Sequence, residues 1–186
     1  PGPSEAMDYQ APTADAWFLI DQALQLPQRL RQLAPFAEVD DDLMRQVLEE
    51  SGTFVGEVIA PLNRHGDEQG AQWRDGAVTM PEGFREAYQA FWQAGWPALA
   101  CDPADGGQGL PAVLEATLYE MLSAANHGWT MAPGLLHGAY ECIKHHASEA
   151  LKSQYLPRIA SGEWLATMCL TEPHAGSDLE IGRAHV

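Results

Sequence analysis

The chain has 186 residues, and 26 Asp and Glu against 10 Lys and Arg give it a formal net charge of −16 at pH 7. That length suits one ordinary domain, and 46% apolar residues with 6 Trp, 5 Tyr and 5 Phe provide for a buried core rather than a disordered chain. The acidity disfavours nucleic acid, whose phosphates need a basic footprint, and equally disfavours anionic membrane surfaces. No apolar run approaches bilayer length, and no basic region followed by an apolar core opens the sequence. Cys101, Cys142 and Cys169 are too few and too scattered for a disulfide framework. A soluble, cytoplasmic protein with reduced thiols is the expectation.

Pro1 stands first, and residues 1–7 carry no periodic pattern. Residues 15–33 read as two short amphipathic helices separated at Pro27, with Trp17, Phe18, Ile20, Leu24, Leu30 and Leu33 as buried positions. Asp40, Asp41 and Asp42 form an acidic helix start, favourable as a cap and against the helix dipole, and this outweighs a metal site. Leu43, Val47, Leu48, Phe54, Val55, Val58, Ile59 and Leu62 recur at three- and four-residue steps, the pattern of a helix with one buried face. Gly52 and Gly56 within it predict close helix packing. Residues 64–80 are polar and read as a loop. Pro81 opens the next helix, whose stripe of Phe84, Tyr88, Phe91 and Trp92 reads as core rather than a cofactor box, and Gly95 ends it.

Residues 101–111 hold Pro103, Gly106, Gly107, Gly109 and Pro111. No strand precedes this cluster and no Gly-Lys-Ser or Gly-Lys-Thr closes it, so it reads as a structural turn rather than a phosphate loop. A helix over 112–126 turns Val113, Leu114, Thr117, Leu118, Met121, Leu122 and Ala125 inward, and another after Pro133 carries Leu135, Leu136, Ala139, Tyr140 and Ile143. The adjacent His145 and His146 point to different sides of that helix and read as its cationic end, not as metal ligands. A short helix covers 148–155. After Pro157 the character changes: residues 164–170 form a short apolar run, read as one β-strand entering a loop that turns at Gly176. A lone strand needs partners, so further strands are expected beyond this sequence. One back-translation of residues 181–186 resembles the start of a widely used sequencing adapter, and these residues are expected to be a non-native tail.

The richest motif is Thr171-Glu172-Pro173-His174-Ala175-Gly176-Ser177-Asp178, preceded by Tyr155-Leu156-Pro157 and Ala160-Ser161-Gly162-Glu163. In order and spacing it resembles the acyl-CoA dehydrogenase family. Gly95-Trp96 and the run from Pro103 through Gly106, Gly107 and Gly109 resemble the family's loop between its third and fourth helices. Tyr9, Ala11, Pro12 and Asp15, with Ala60-Pro61-Leu62-Asn63, resemble the subgroup that carries an added N-terminal extension, typified by 3-methylmercaptopropionyl-CoA dehydrogenase. The resemblance covers residues 9–179.

The resemblance implies an all-α fold class for this chain: the helical N-terminal domain of an α–β–α enzyme, truncated at the first strand of its β-domain. It divides the sequence into an N-terminal extension (1–35), a helical domain (36–164), a first strand with flavin loop (165–180) and the tail (181–186). The implied activity is FAD-dependent α,β-dehydrogenation of an acyl-CoA thioester, 3-methylmercaptopropionyl-CoA or another short acyl-CoA. An electron-transfer flavoprotein is the implied electron acceptor, and a homo-oligomer the implied state of the parent. Met168, Leu170, Thr171, Gly176 and Ser177 match the stretch that lines the flavin and its pyrophosphate, and Ser177 also meets the CoA ester. Met168 stands where many members carry an aromatic residue, His174 where the family varies, and Glu172 takes a structural role. No residue here matches the catalytic glutamate, so the chain alone is expected to be inactive. A non-catalytic helical relative of the same fold and an acyl-CoA oxidase are the competing readings.

Overall fold

The structure, a computed structural model, describes residues 9–178. The tail 181–186, the start of the N-terminal extension (residues 1–8) and the last two residues of the 165–180 unit lie outside the described residues. Helix α1 (Thr13–Trp17) widens into a π-helical turn (Phe18–Ala23), and α2 (Leu26–Leu30) begins with Pro27 in its first turn. The two-helix reading holds, but only part of its burial does. Ile20 is buried and Trp17 and Leu30 pack beside it, whereas Phe18, Leu24 and Leu33 are exposed. A π turn holds more residues than an α turn, so side chains after Trp17 leave the 3.6-residue stripe on which the expectation rested.

Helix α3 (Asp41–Phe54) is capped as expected, with Asp40 Oδ1 accepting from the Leu43 N–H at 2.7 Å and Asp41 and Asp42 in the first turn. Met44, Leu48, Ser51 and Gly52 form its buried face, continued by Val55 and Ile59 in a second π-helical turn (Val55–Ile59); Leu43, at the exposed start, is outside it. A Cβ on Gly52 would come within 2.6 Å of Thr13 Cγ2, so α1 and α3 pack as closely as the glycine predicts. Nothing approaches Gly56, and that half of the expectation fails.

Residues 64–80 are not a loop. Helix α4 (Asn63–Gln69) is followed by an antiparallel hairpin of β1 (Gln72–Arg74) and β2 (Ala77–Thr79), with Trp73 opposite Val78. Asp75 and Gly76 supply the two positive φ angles, 50° and 81°, that a two-residue hairpin turn of the right twist requires. The Asp-Gly pair was the readable signal, masked by the polarity around it.

Helix α5 (Phe84–Gln93) buries Phe84, Ala87 and Phe91, and the Phe91 ring meets Trp129 edge-on at 5.4 Å. The glycine-rich stretch after it is a structural turn: Gln108, Gly109 and Leu110 donate from their N–H groups to the carbonyls of Ala98, Cys101 and Leu99 at 2.8–2.9 Å. A Cβ on Gly107 would overlap the Cys101 carbonyl. Helix α6 (Ala112–Thr130) breaks at Asn126 (φ −158°, ψ 82°) and then adds a final turn. A 3₁₀ turn (Pro133–Leu135) leads to α7 (Leu136–His146), which ends at the paired histidines as read. Helix α8 (Glu149–Ser161), capped by Ser148, runs through Pro157 rather than ending near residue 155. Pro157 removes one helical hydrogen bond, but Leu156, Ile159 and Ala160 around it are buried and hold the helix together.

The main core lies between α3 with its π turn, α5 and α6, around Leu48, Val55, Ile59, Phe91, Leu118, Leu122 and Trp129. A second cluster joins α7 and α8 through Leu136, Tyr140, Leu156 and Ile159, with Cys101 against it. The architecture is all-α with one small hairpin among the described residues, and none of their helices is long and apolar enough to cross a membrane. Residues 165–170 form no strand, which corrects the expectation for that run. A strand exists only as one side of a ladder, and no described residue supplies the other side.

Asn126 is 2% exposed; its Nδ2 donates to the Ile59 carbonyl at 3.3 Å and its Oδ1 accepts from the Trp129 N–H at 3.0 Å. Asn126→Ala strands both partners and is expected to cost about 3 kcal/mol, since each buried unpaired group costs about 1–3 kcal/mol. Asp40→Ala, losing one exposed cap, is expected to cost about 1 kcal/mol. Urea denaturation followed by helical circular dichroism ranks the two.

Candidate functional site

The motif-bearing segment leaves α8 under tight control. The Tyr88 hydroxyl donates to the Gly162 carbonyl at 2.5 Å, and burial raises its pKa to about 12, so it remains a donor at neutral pH. The Trp164 N–H donates to the Arg158 carbonyl at 3.1 Å, while the Arg158 guanidinium sits 4.6 Å over the Trp164 ring. Ala166 packs on the α7–α8 cluster. Met168 then lies over α7: a Cβ on Gly138 would meet Met168 Cε at 2.9 Å. The glycine is the seat that lets this segment rest on the helix.

The segment closes in a tight turn, where the Glu172 N–H donates to the Ala175 carbonyl at 2.7 Å and the Ala175 N–H returns to Glu172 at 3.2 Å. Thr171 and Gly176 flank this turn, and a Cβ on Gly176 would stand 3.2 Å from Thr171 Cγ2. Of the five expected cofactor residues, Thr171 and Gly176 are thus brought together, Met168 is seated on α7, and Leu170 and Ser177 face solvent. The donor chemistry is compatible with a flavin and its pyrophosphate: hydroxyls at Thr171 and Ser177, and a backbone at Gly176 where a Cβ would crowd the Thr171 methyl.

One turn from Met168's seat, α6 and α7 enclose a cleft of about 410 Å³ that periodicity did not reveal. Ala116, Met131, Gly134 and Leu135 line it, with Glu115 and His137 at the same wall. Met131 is 63% exposed and Leu135 38%, so the solvent side is apolar. The Asn126 break creates this geometry by swinging the chain off the α6 axis before α7 begins. The signal that could have found it is the sequence Met131-Ala132-Pro133-Gly134-Leu135, an apolar run interrupted by Pro and Gly.

Electrostatics gather around α7. His137 Nδ1 lies 3.1 Å from Glu115 Oε2 and Nε2 lies 3.5 Å from Glu141 Oε1. The Cys101 side chain, then Glu115, hold the imidazole cationic and push its pKa up to about 10 against the opposing effect of burial. Lys144 bridges Asp105 at 2.6 Å and Asp102 at 2.9 Å, which ties α7 to the glycine-rich turn, and the Tyr140 hydroxyl donates to the same Asp105 at 2.6 Å. The Ala104 N–H and Lys144 keep the Asp102 carboxyl below the usual range. His145 pairs with Glu141 at 2.9 Å, in keeping with a helix end.

Residues 42–163 match the model of the acyl-CoA dehydrogenase N-terminal domain. This chain belongs to the acyl-CoA dehydrogenase family. It is 42% identical over 173 residues to 3-methylmercaptopropionyl-CoA dehydrogenase of Ruegeria pomeroyi, an alignment that takes in 93% of this chain and 29% of the relative. A butyryl-CoA dehydrogenase of Syntrophomonas wolfei is 40% identical over 126 residues, 66% of this chain and 20% of that protein. The first alignment reaches well outside the matched domain, in keeping with the subgroup resemblance. The chain thus spans less than a third of the length of these relatives. A solved structure described as an electron transferring flavoprotein of Acidaminococcus fermentans superposes with a TM-score of 0.61 over 76% of this chain and 34% of that one. At 22% identity that likeness concerns the fold alone.

Because His137 gains its proton on folding, its contribution to stability is complete below its unfolded pKa near 6.5 and is lost as pH rises through about 10. Thermal unfolding of the chain is therefore expected to show a falling midpoint across that window. His137→Gln should flatten this slope while leaving any steeper loss above it, where Tyr140 and Lys144 titrate.

Proposed function

We propose that this chain is the N-terminal part of an FAD-dependent enzyme that introduces a double bond between Cα and Cβ of a short acyl-CoA thioester, with 3-methylmercaptopropionyl-CoA among the candidate substrates. The observation that carries the reading is the seating of Met168 on Gly138, which rests the motif-bearing segment on α7, the helix whose His137 lines the cleft. Residues 36–164 act as the helical domain, 1–35 as its extension, and 165–180 as the flavin-contacting unit. When bound, the flavin supplies a two-electron acceptor. The main chain at Leu170 and the Thr171 hydroxyl orient its ring edge. Gly176 and the Ser177 hydroxyl receive the pyrophosphate or the CoA ester, where a charge-assisted hydrogen bond is strongest. Met131 and Leu135 offer the apolar surface of the cleft against which the acyl chain packs. An α-proton is weakly acidic until its thioester carbonyl is polarised, and a dry surround strengthens whatever hydrogen bonds achieve this.

Glu172 is not assigned the α-proton, because it is exposed and its backbone closes the turn with Ala175. The chain alone is accordingly proposed to be inactive. An electron-transfer flavoprotein is the proposed acceptor of the electrons, and a homo-oligomer the proposed state of the parent.

The test uses the full-length protein that carries this chain. Short, branched and thioether acyl-CoAs added without oxygen are expected to bleach the flavin band. A protein that holds flavin and is bleached by none of them is the non-catalytic relative instead, and rapid reoxidation by oxygen alone marks an oxidase. Ser177→Ala is expected to weaken flavin or CoA-ester binding by about tenfold or more, as loss of a hydrogen bond to a charged group costs about 1.5–3 kcal/mol. Ser161→Ala, whose hydroxyl is spent on the Glu163 N–H and the Arg158 carbonyl, serves as the comparison.

A further inference from the structure

The α6–α7 cleft is apolar where it meets solvent and charged where it is hidden. Glu115 Oε2 and His137 Nδ1 are both shielded from solvent, and neither has an aligned hydrogen-bond partner among the described residues. Their 3.1 Å separation is an ion-pair contact that does not reach hydrogen-bond geometry. The Glu115 side chain is only 12% exposed. Polar atoms left in this condition are costly, and native proteins seldom keep them without a use. Two hydroxyls of the wall are already committed, Tyr119 donating to the Pro133 carbonyl at 3.0 Å and Thr130 to the Asn126 carbonyl at 2.9 Å, while Ser123 adds a further hydroxyl to the lining. Among the shielded atoms of the wall, the ion-paired Glu115 Oε2 and His137 Nδ1 are an acceptor and a donor that still lack a hydrogen bond.

The geometry points to a terminal recognition subsite, in which Glu115 and His137 hold a small neutral group at the far end of the acyl chain, a hydroxyl being its simplest form. Such a group donates to Glu115 Oε2 and accepts from His137 Nδ1, completing both atoms at once. A methyl terminus completes neither, and a thioether sulfur only accepts, weakly. A carboxylate terminus is repelled by Glu115 and an ammonium by the imidazolium, so the complementary class is neutral. The apolar stretch of Ala116, Met131 and Leu135 between solvent and the pair suits the methylenes that carry this group inward. The inference rests on the cleft being the acyl site, and names the substrate class for it: short ω-hydroxyacyl-CoA esters over their alkyl counterparts.

The experiment compares CoA esters on the full-length, flavin-loaded protein, each methyl-terminated ester paired with the ω-hydroxy ester of equal heavy-atom count, over a series of chain lengths. Flavin bleaching gives kcat/KM, and titration calorimetry gives Kd. At the length that spans the cleft, the hydroxy ester is expected to be favoured by about tenfold or more, since a site built to bond a hydroxyl rejects the analogue that lacks it. Glu115→Leu should abolish or reverse that preference and Glu115→Gln, which still accepts, should retain part of it. If the leucine variant does not fold, as judged by circular dichroism, the wild-type series and the glutamine variant decide. Equal kcat/KM and Kd for each pair at every length overturns the subsite, as does a preference unchanged in Glu115→Leu or Glu115→Gln. Bleaching by alkyl esters alone also overturns it while leaving the acyl-CoA reading intact. Bleaching by no ester removes the acyl-CoA reading and the subsite with it.

Discussion

The side-chain amide of Asn126 decides where the two halves of the helical body part company. A helix as long as α6 would otherwise continue straight and carry Trp129 and Thr130 away from the core. Instead the buried amide caps the final turn through the Trp129 N–H and reaches across to the Ile59 carbonyl. Trp129 is thereby held with its indole N–H on the Phe84 carbonyl at 3.2 Å and its ring against Phe91. One polar side chain thus ties the π turn after α3, the start of α5 and the end of α6 together. The chain must then turn through Pro133 into α7, and the space opened by that turn is the cleft.

The second consequence runs through α7. Its outer turn receives Met168 at Gly138, its next residue back, His137, faces Glu115, and Tyr140 and Lys144 fasten the helix to the glycine-rich turn. The helix is therefore clamped on two sides by polar contacts and on a third by the apolar cluster with α8. This makes α7 a rigid shelf for a segment with little structure of its own. The arrangement suits a site whose precision comes from helices and whose chemistry comes from a loop, because loops carry backbone donors that regular elements have already used.

Much of this was legible in the residues, and the gaps have particular causes. Asp40 announced its cap, Gly95 its helix end and the Phe84–Phe91 stripe its core, since each depends on local stereochemistry or on a clean period. The segment 171–178 carries the family resemblance in its own residues, while the resting place of Met168 on Gly138 depends on tertiary packing that no spacing encodes. Phe18 and Leu24 lie outside the expected buried stripe because a π turn shifts the phase of a helix without a residue that marks it. The hairpin at Asp75-Gly76 leaves little trace in the sequence because its strands are exposed on every residue and so show no alternation. Pro157 marks a boundary in the sequence, yet flanking burial is enough to carry α8 past it. The cleft is invisible to periodicity for a related reason: Glu115 and His137 lie on different helices, and their meeting follows from the Asn126 break rather than from either helix's own pattern.

Net charge bears on function less than its size implies. A chain of −16 should repel an anionic CoA ester if the charges acted together. At physiological ionic strength, however, exposed charges farther than about 8 Å are largely screened. Most of the acidic groups sit on outer helix faces such as the first turn of α3, and the proposed loop and cleft answer chiefly to what stands beside them. Near the loop that means backbone donors, two hydroxyls and the carboxylates of Glu172 and Asp178. In the cleft it means a cation between carboxylates, behind apolar side chains. A ligand with a long apolar arm and a charged head can satisfy both environments only in one direction, arm inward between α6 and α7 and head outward along the turn at Gly176. On the proposed function the direction of binding is then set by dielectric contrast along the site, and the overall acidity plays little part in it.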